Sequence, residues 1–137
     1  MKQITEDYVS FETAKLLKEK GFDEICSYEW GIPNVDKGYV LQKWIIDNGQ
    51  IKNSDLIDGA YTAPSQSLAL KWLREVHNIH IEIYRTACGY LYIVSNIPYG
   101  TDLYNPEYGG DDENSGQWTT YEKAVEAALK YTLENLI

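Results

Sequence analysis

Residues 71–84 read KWLREVHNIHIEIY, and the change of rhythm inside them decides the fold. Up to His77 the apolar residues recur at helical spacing, with Ser65, Leu68, Ala69, Trp72, Leu73 and Val76 on one stripe. From Ile79 the period drops to two, so Ile79, Ile81 and Ile83 face one way while His80, Glu82 and Tyr84 face the other. Asn78 stands between them as a helix stop, and Pro64 suits a first helical turn, which predicts a helix over 63–77 running straight into a strand.

Working outward, the run YLYIVSNI after TACG alternates as well. Leu91, Ile93, Ser95 and Ile97 oppose Tyr90, Tyr92, Val94 and Asn96, which predicts a second strand antiparallel to the first. Toward the N-terminus, Thr5 reads as an N-cap with Glu6 and Asp7 in the first turn, and Ile4 and Val9 hold the positions of a hydrophobic staple. Gly21 supplies a left-handed C′ residue with Phe22 able to fold back on Leu17, so the expected helix covers 5–20. EICSYEW and YVLQKWII flank the turn-forming GIPNVDKG and predict a hairpin with a long loop. Thr119 and Glu122 have capping-box spacing before a last helix, whose apolar face is Tyr121, Ala124, Val125, Ala128, Leu129, Thr132 and Leu136.

The order is α-β-β-α-β-β-α, which predicts an α+β fold: one domain over 1–137, a mainly antiparallel four-stranded sheet, and three helices on one face. A chain of 137 residues has the length for one domain with a real core. Apolar residues are 44% and charged residues 24%, ordinary for a globular protein. The formal net charge of −9 repels phosphate backbones and anionic lipid, so nucleic acid and membrane are not the expected partners. Neither a leader-like h-region nor a run of roughly 18 apolar residues is present, and the expected location is the cytoplasm. Cys26 and Cys88 are too few for a disulfide framework and are expected to be reduced.

Four constellations have residue types that could carry chemistry. His77 and His80, the two histidines of the chain, lie three apart across the helix–strand boundary, so their side chains need not converge. They read as a helix-end histidine and a strand-surface histidine before they read as a metal or proton-transfer pair. Asp111, Glu113, Ser115, Gly116 and Glu122 fall at positions 1, 3, 5, 6 and 12 of an EF-hand-like loop. The preceding YNPEYGG is no entering helix, however, and Glu122 is explained by the capping box. Gly89, Tyr90, Tyr92 and Ile93 agree with the RNP1 strand of RNA-recognition motifs, but Cys88, Leu91 and Ser95 depart from it and the charge opposes RNA. Nothing marks Cys88 as an activated nucleophile beside either histidine. No catalytic residue, metal or cofactor is assigned.

What stands out is tyrosine: twelve, against two phenylalanines. Tyr couples apolar area to a polar tip and suits contact surfaces. If the isoleucines face the helices, His80, Glu82 and Tyr84 share the opposite sheet face with Tyr90, Tyr92 and Val94. The acidic loop over 98–118 adds Tyr99, Tyr104 and Tyr108. Tyr84, Tyr90, Tyr92, Tyr99, Tyr104 and Tyr108 are therefore the candidate binding residues, for a protein partner or for self-association. The alternative is that the N-terminal hairpin or a second copy covers this face. The leading function is a non-enzymatic protein-interaction or modulatory module. One alternative is an acidic mimic of nucleic acid that inhibits a host enzyme, and another is a small enzyme or metal protein centred on His77 and His80.

MKQITEDYVSFETAKLLKEKGFDE, APSQSLALKWLRE followed by HIEIY, and YEKAVEAALKYTLENLI together resemble short uncharacterised proteins of gut Bacteroidales and of their associated phages and mobile elements. The likeness runs nearly end to end and is weakest over 25–60 and in the acidic loop. It carries no known activity, cofactor or site residue. It implies a small intracellular accessory protein, in a context that favours protein binding over metabolism.

Overall fold

The computed structural model describes residues 2–33 and 35–137, so Asn34 of the expected 31–38 turn lies outside the described residues. Two compact units divide the chain at Ser67 and Leu68. The predicted element order is kept, with two short strands added.

In the first unit α1 spans Phe11–Glu19. Its N-cap is Ser10, whose hydroxyl accepts from the Thr13 amide at 3.2 Å, and not Thr5. The expected first turn is instead extended, because its backbone bonds elsewhere. The Val9 amide donates to the Pro64 carbonyl at 3.0 Å, and the Asp7 carbonyl accepts from the Gln66 amide at 2.9 Å. Ile4 is 91% exposed, so the staple does not form. The helix ends as the sequence predicts. Gly21 takes φ +93°, the Phe22 amide reaches back to the Leu17 carbonyl at 2.9 Å, and both side chains are buried.

Strands β1 (Tyr28–Gly31), β2 (Val40–Lys43) and β3 (Tyr61–Thr62) form an antiparallel sheet in the order β2-β1-β3. α1 packs on β3. Buried Asn53 ties the unit from within: its amide donates to the Phe22 carbonyl at 2.8 Å and its Oδ1 accepts from the Thr62 amide at 2.9 Å. One side chain thus satisfies a backbone group at the helix end and another on the strand, groups that burial would otherwise leave costly.

α2 covers Gln66–His77 and starts three residues later than predicted, since the Ala63 amide donates to the Tyr28 carbonyl at 2.8 Å while Pro64 and Ser65 pair with Val9 and Tyr8. Asn78 ends it at φ +56°. In the second unit β4 (Ile79–Arg85), β5 (Tyr90–Asn96) and β6 (Asp102–Tyr104) make a second antiparallel sheet, ordered β4-β5-β6. α3 (Tyr121–Asn135) packs on β4 and β5 and buries Ala124, Val125, Ala128, Leu129, Thr132 and Leu133.

The fold is thus α+β, but the single four-stranded sheet with all helices on one face is corrected to two three-stranded sheets, with α1 packed in the first unit and α3 in the second. The added strands are two and three residues long, too short to show a period of their own.

Leu129 is fully buried on α3. Leu129→Ala is expected to cost about 2–5 kcal/mol, read as a shifted midpoint in chemical denaturation.

Candidate aromatic groove

Register decides which side chains meet. In an antiparallel pair, directly opposed residues share a face. Ile81 is opposite Val94, Ile83 opposite Tyr92 and Arg85 opposite Tyr90. Tyr90, Tyr92 and Val94 therefore share the isoleucine face, and the expected Tyr face with His80, Glu82 and Tyr84 is corrected. Those three stand with Ser95, Ile93 and Leu91 instead. Two strands of strict alternation can be joined in either of two phases, and a one-residue shift exchanges the faces.

On the isoleucine face, Tyr92 is 3% exposed. Tyr104 joins it from β6 by pairing with Val94, next to an irregularity between Val94 and Ser95. The Tyr104 ring stacks on Tyr131 of α3 with centroids 3.6 Å apart and planes 11° from parallel. Trp118 comes from the end of the acidic loop. Its backbone exchanges two hydrogen bonds with Tyr90, of 2.8 and 3.1 Å, and so extends the sheet beside β5. The pairing puts the Trp118 ring 5.1 Å from Tyr92, which is itself 6.0 Å from Tyr104. These four rings, with Tyr108 and Gly109 of the loop and Ala127, Lys130, Glu134 and Asn135 of α3, line a groove of about 320 Å³.

The loop is held in place by its own polar groups. The Asp111 carboxylate accepts from the Thr119 amide (2.8 Å), the Thr119 hydroxyl (2.7 Å) and the Lys123 ammonium (3.0 Å). The Thr119 and Lys123 bonds hold its pKa well below the ordinary 3.8. Thr120, and not Thr119, caps α3 by accepting from the Lys123 amide. The Gly110 amide donates to the Gly116 carbonyl at 2.8 Å, and a Cβ on Gly110 would collide with the Gln117 carbonyl group. The loop approaches itself there too closely for a side chain. Thr86 hydrogen-bonds Gln117 and joins the β4–β5 turn to the same segment.

Of the six predicted tyrosines, Tyr92, Tyr104 and Tyr108 line the groove. Tyr90 lies at its flank, 6.1 Å from Tyr121 and under the Arg85 guanidinium. Tyr99 is 84% exposed in the β5–β6 turn, and Tyr84 stands on the opposite sheet face. Trp118 and Tyr131 were not singled out from sequence. The spacing of Ala127, Tyr131 and Glu134 along α3 was the available signal for the second of them.

The remaining candidates take other roles. The His77 ring meets Trp72 edge-on at 4.6 Å and its buried Nε2 has no hydrogen-bond partner among the described residues, while His80 is exposed on β4 beside Glu82. Among the described residues no three His, Cys, Asp or Glu side chains group so as to hold a metal ion. Asp111 of the EF-hand-like spacing is committed to Thr119 and Lys123. Cys88 is exposed, whereas burial pushes the Cys26 thiol up to about 11. Among the described residues no helix is long and apolar enough to cross a membrane. Compared with protein-family models, curated proteins and solved structures, the chain matches none of them.

Two pH dependences follow. Asp111 has a depressed pKa in the fold, so its contribution is complete above the ordinary carboxylate range and is lost as pH falls below 3.8 toward the folded value. Asp111→Asn should speed hydrogen exchange at the Thr119 amide at neutral pH, and the wild type should approach the variant on acidification. Tyr92 behaves oppositely. Burial first, then the Tyr104 and Tyr131 phenols, raise its pKa well above 10.0, so its contribution is complete below pH 10 and is lost as pH rises further. Stability measured between pH 9 and 11.5 should fall less steeply in Tyr92→Phe than in wild type.

Proposed function

We propose that this chain is a non-enzymatic protein-interaction module that contacts its partner through the aromatic groove of the second unit. The observation that carries this is the gathering of Tyr92, Tyr104, Tyr108, Trp118 and Tyr131 around one open depression. Aromatic side chains give large contact area at small entropic cost, and they are enriched where binding energy concentrates. Four of the twelve tyrosines, Tyr92, Tyr104, Tyr108 and Tyr131, stand in this one lining. The net charge of −9 supports a protein partner with basic character over nucleic acid or an anionic membrane. The resemblance to short accessory proteins of Bacteroidales and their mobile elements belongs to the same proposal, as does a cytoplasmic location.

The test is capture of partners from cells that naturally carry the chain, with three baits. Wild type and Tyr84→Ala, altered on the opposite face, should retain the same partner at stoichiometric yield. A Tyr104→Ala/Tyr131→Ala double variant that remains folded by circular dichroism should lose it. Equal recovery by all three baits would remove the groove from the interface.

A further inference from the structure

Resting on that proposal, we infer that the groove receives an arginine side chain from a basic segment of the partner. Each aromatic face carries the negative end of a quadrupole, and a cation set over it is attracted. Tyr104 and Tyr131 cover one face of each other, at 3.6 Å, and both border the groove. Tyr92 and Trp118, tilted 45° to one another, line the same depression, with Tyr108 on the loop side. The molecule already uses this contact twice internally: the Arg85 guanidinium lies 5.1 Å from the Tyr90 ring centre, and the Lys18 ammonium 5.4 Å from that of Tyr61.

Glu134 lines the groove, and the loop that carries Tyr108 also carries Glu107, Asp111, Asp112 and Glu113. The second unit holds ten carboxylates against five basic side chains. An anionic ligand would meet this field unfavourably, and an aliphatic one would desolvate the charged Glu134 and Lys130 without compensation. A cation gains from both the rings and the field.

A groove of about 320 Å³ has room for a whole extended side chain, more than a bare ammonium needs. A guanidinium is planar, stacks on aromatic faces and presents a fork of N–H donors to a carboxylate, where an ammonium offers one compact and strongly hydrated charge. Glu134 is the carboxylate placed to accept that fork at the rim. Lys130, one helical turn earlier on α3, is the one basic group in the lining and opposes the ligand.

The experiment titrates the intact chain with a blocked peptide carrying two arginines among glycines and serines, and with its twin in which citrulline replaces both. Binding is followed by calorimetry at low and physiological salt. The arginine peptide should bind at least tenfold more tightly than the citrulline twin and weaken as salt rises. Glu134→Gln, an exposed change with no packing consequence, should weaken it about fivefold. Lys130→Gln should tighten it two- to threefold by removing the opposing charge. Equal binding of both peptides, or weakening by Lys130→Gln, would overturn the arginine assignment and point to a neutral hydrogen-bonding ligand. A captured partner that still depends on Tyr104 and Tyr131 while the arginine peptide fails to bind would overturn this inference and leave the protein-interaction proposal standing. An arginine peptide whose binding ignores Glu134 and Lys130 would overturn it as well, by placing the basic site elsewhere.

Discussion

The second unit depends on the antiparallel seating of β4 on β5. Seven opposed pairs, from Ile79 with Asn96 to Arg85 with Tyr90, fix one phase of the pleat. That phase puts Ile79, Ile81, Tyr92 and Val94 on the side where α3 buries its apolar stripe. With β5 so oriented, Tyr104 arrives on the same side by pairing with Val94, and Trp118 does so by pairing with Tyr90. In the opposite phase Tyr92 would leave the core, Tyr104 would have no Tyr131 to stack on, and the groove would have no floor. Register is strongly specified where one face is buried, so the energetics of the core and the composition of the groove have a single origin.

The loop between β6 and α3 then does what a regular element does elsewhere. It is acidic and glycine-rich, and the repulsion among its carboxylates would ordinarily favour an extended, solvated chain. Asp111 reverses this locally by gathering Thr119 and Lys123, while the Gly110–Gly116 hydrogen bond closes the segment between them and Tyr108. The acid cluster that looks from sequence like a cation loop is therefore used in part as internal bracing, and its result is the placement of Trp118 at the sheet edge. Asn53 plays the matching part in the first unit, with one buried amide holding a helix end and a strand together.

Much of this was legible where the local chemistry is self-sufficient. Gly21 and Asn78 end their helices because a left-handed residue is a local requirement, and the alternation of β4 and β5 is a pattern within each strand. What was hidden depends on partners distant in sequence. The segment after Thr5 has a sound N-cap signal, yet its backbone pairs with Pro64 and Gln66, and Ser10 caps the helix instead. β3 and β6 exist because a neighbour supplies their hydrogen bonds. The faces of β4 and β5 were each read correctly, but their relative phase is set by the pairing, which no single strand encodes. Hence Tyr92, Tyr104 and Tyr108 are legible individually, while Trp118 and Tyr131, the rings that complete their setting, meet them only through the fold.

The use of Tyr where Phe would pack as well has a physical consequence. A groove floored by phenylalanine would be a sticky apolar patch, open to any hydrophobic segment. Phenol rings keep the same quadrupole and area, but their hydroxyls need hydration or a polar partner, which penalises ligands that offer neither. Because burial and its neighbours raise the Tyr92 pKa above the usual 10.0, that ring stays neutral at every physiological pH. The negative character of the groove then comes from ring faces and from carboxylates, the first independent of pH and salt and the second screened by salt. Such a surface attracts a cation at long range through its charge and holds it at short range through its rings, with selectivity resting on the contact that persists when the field is screened.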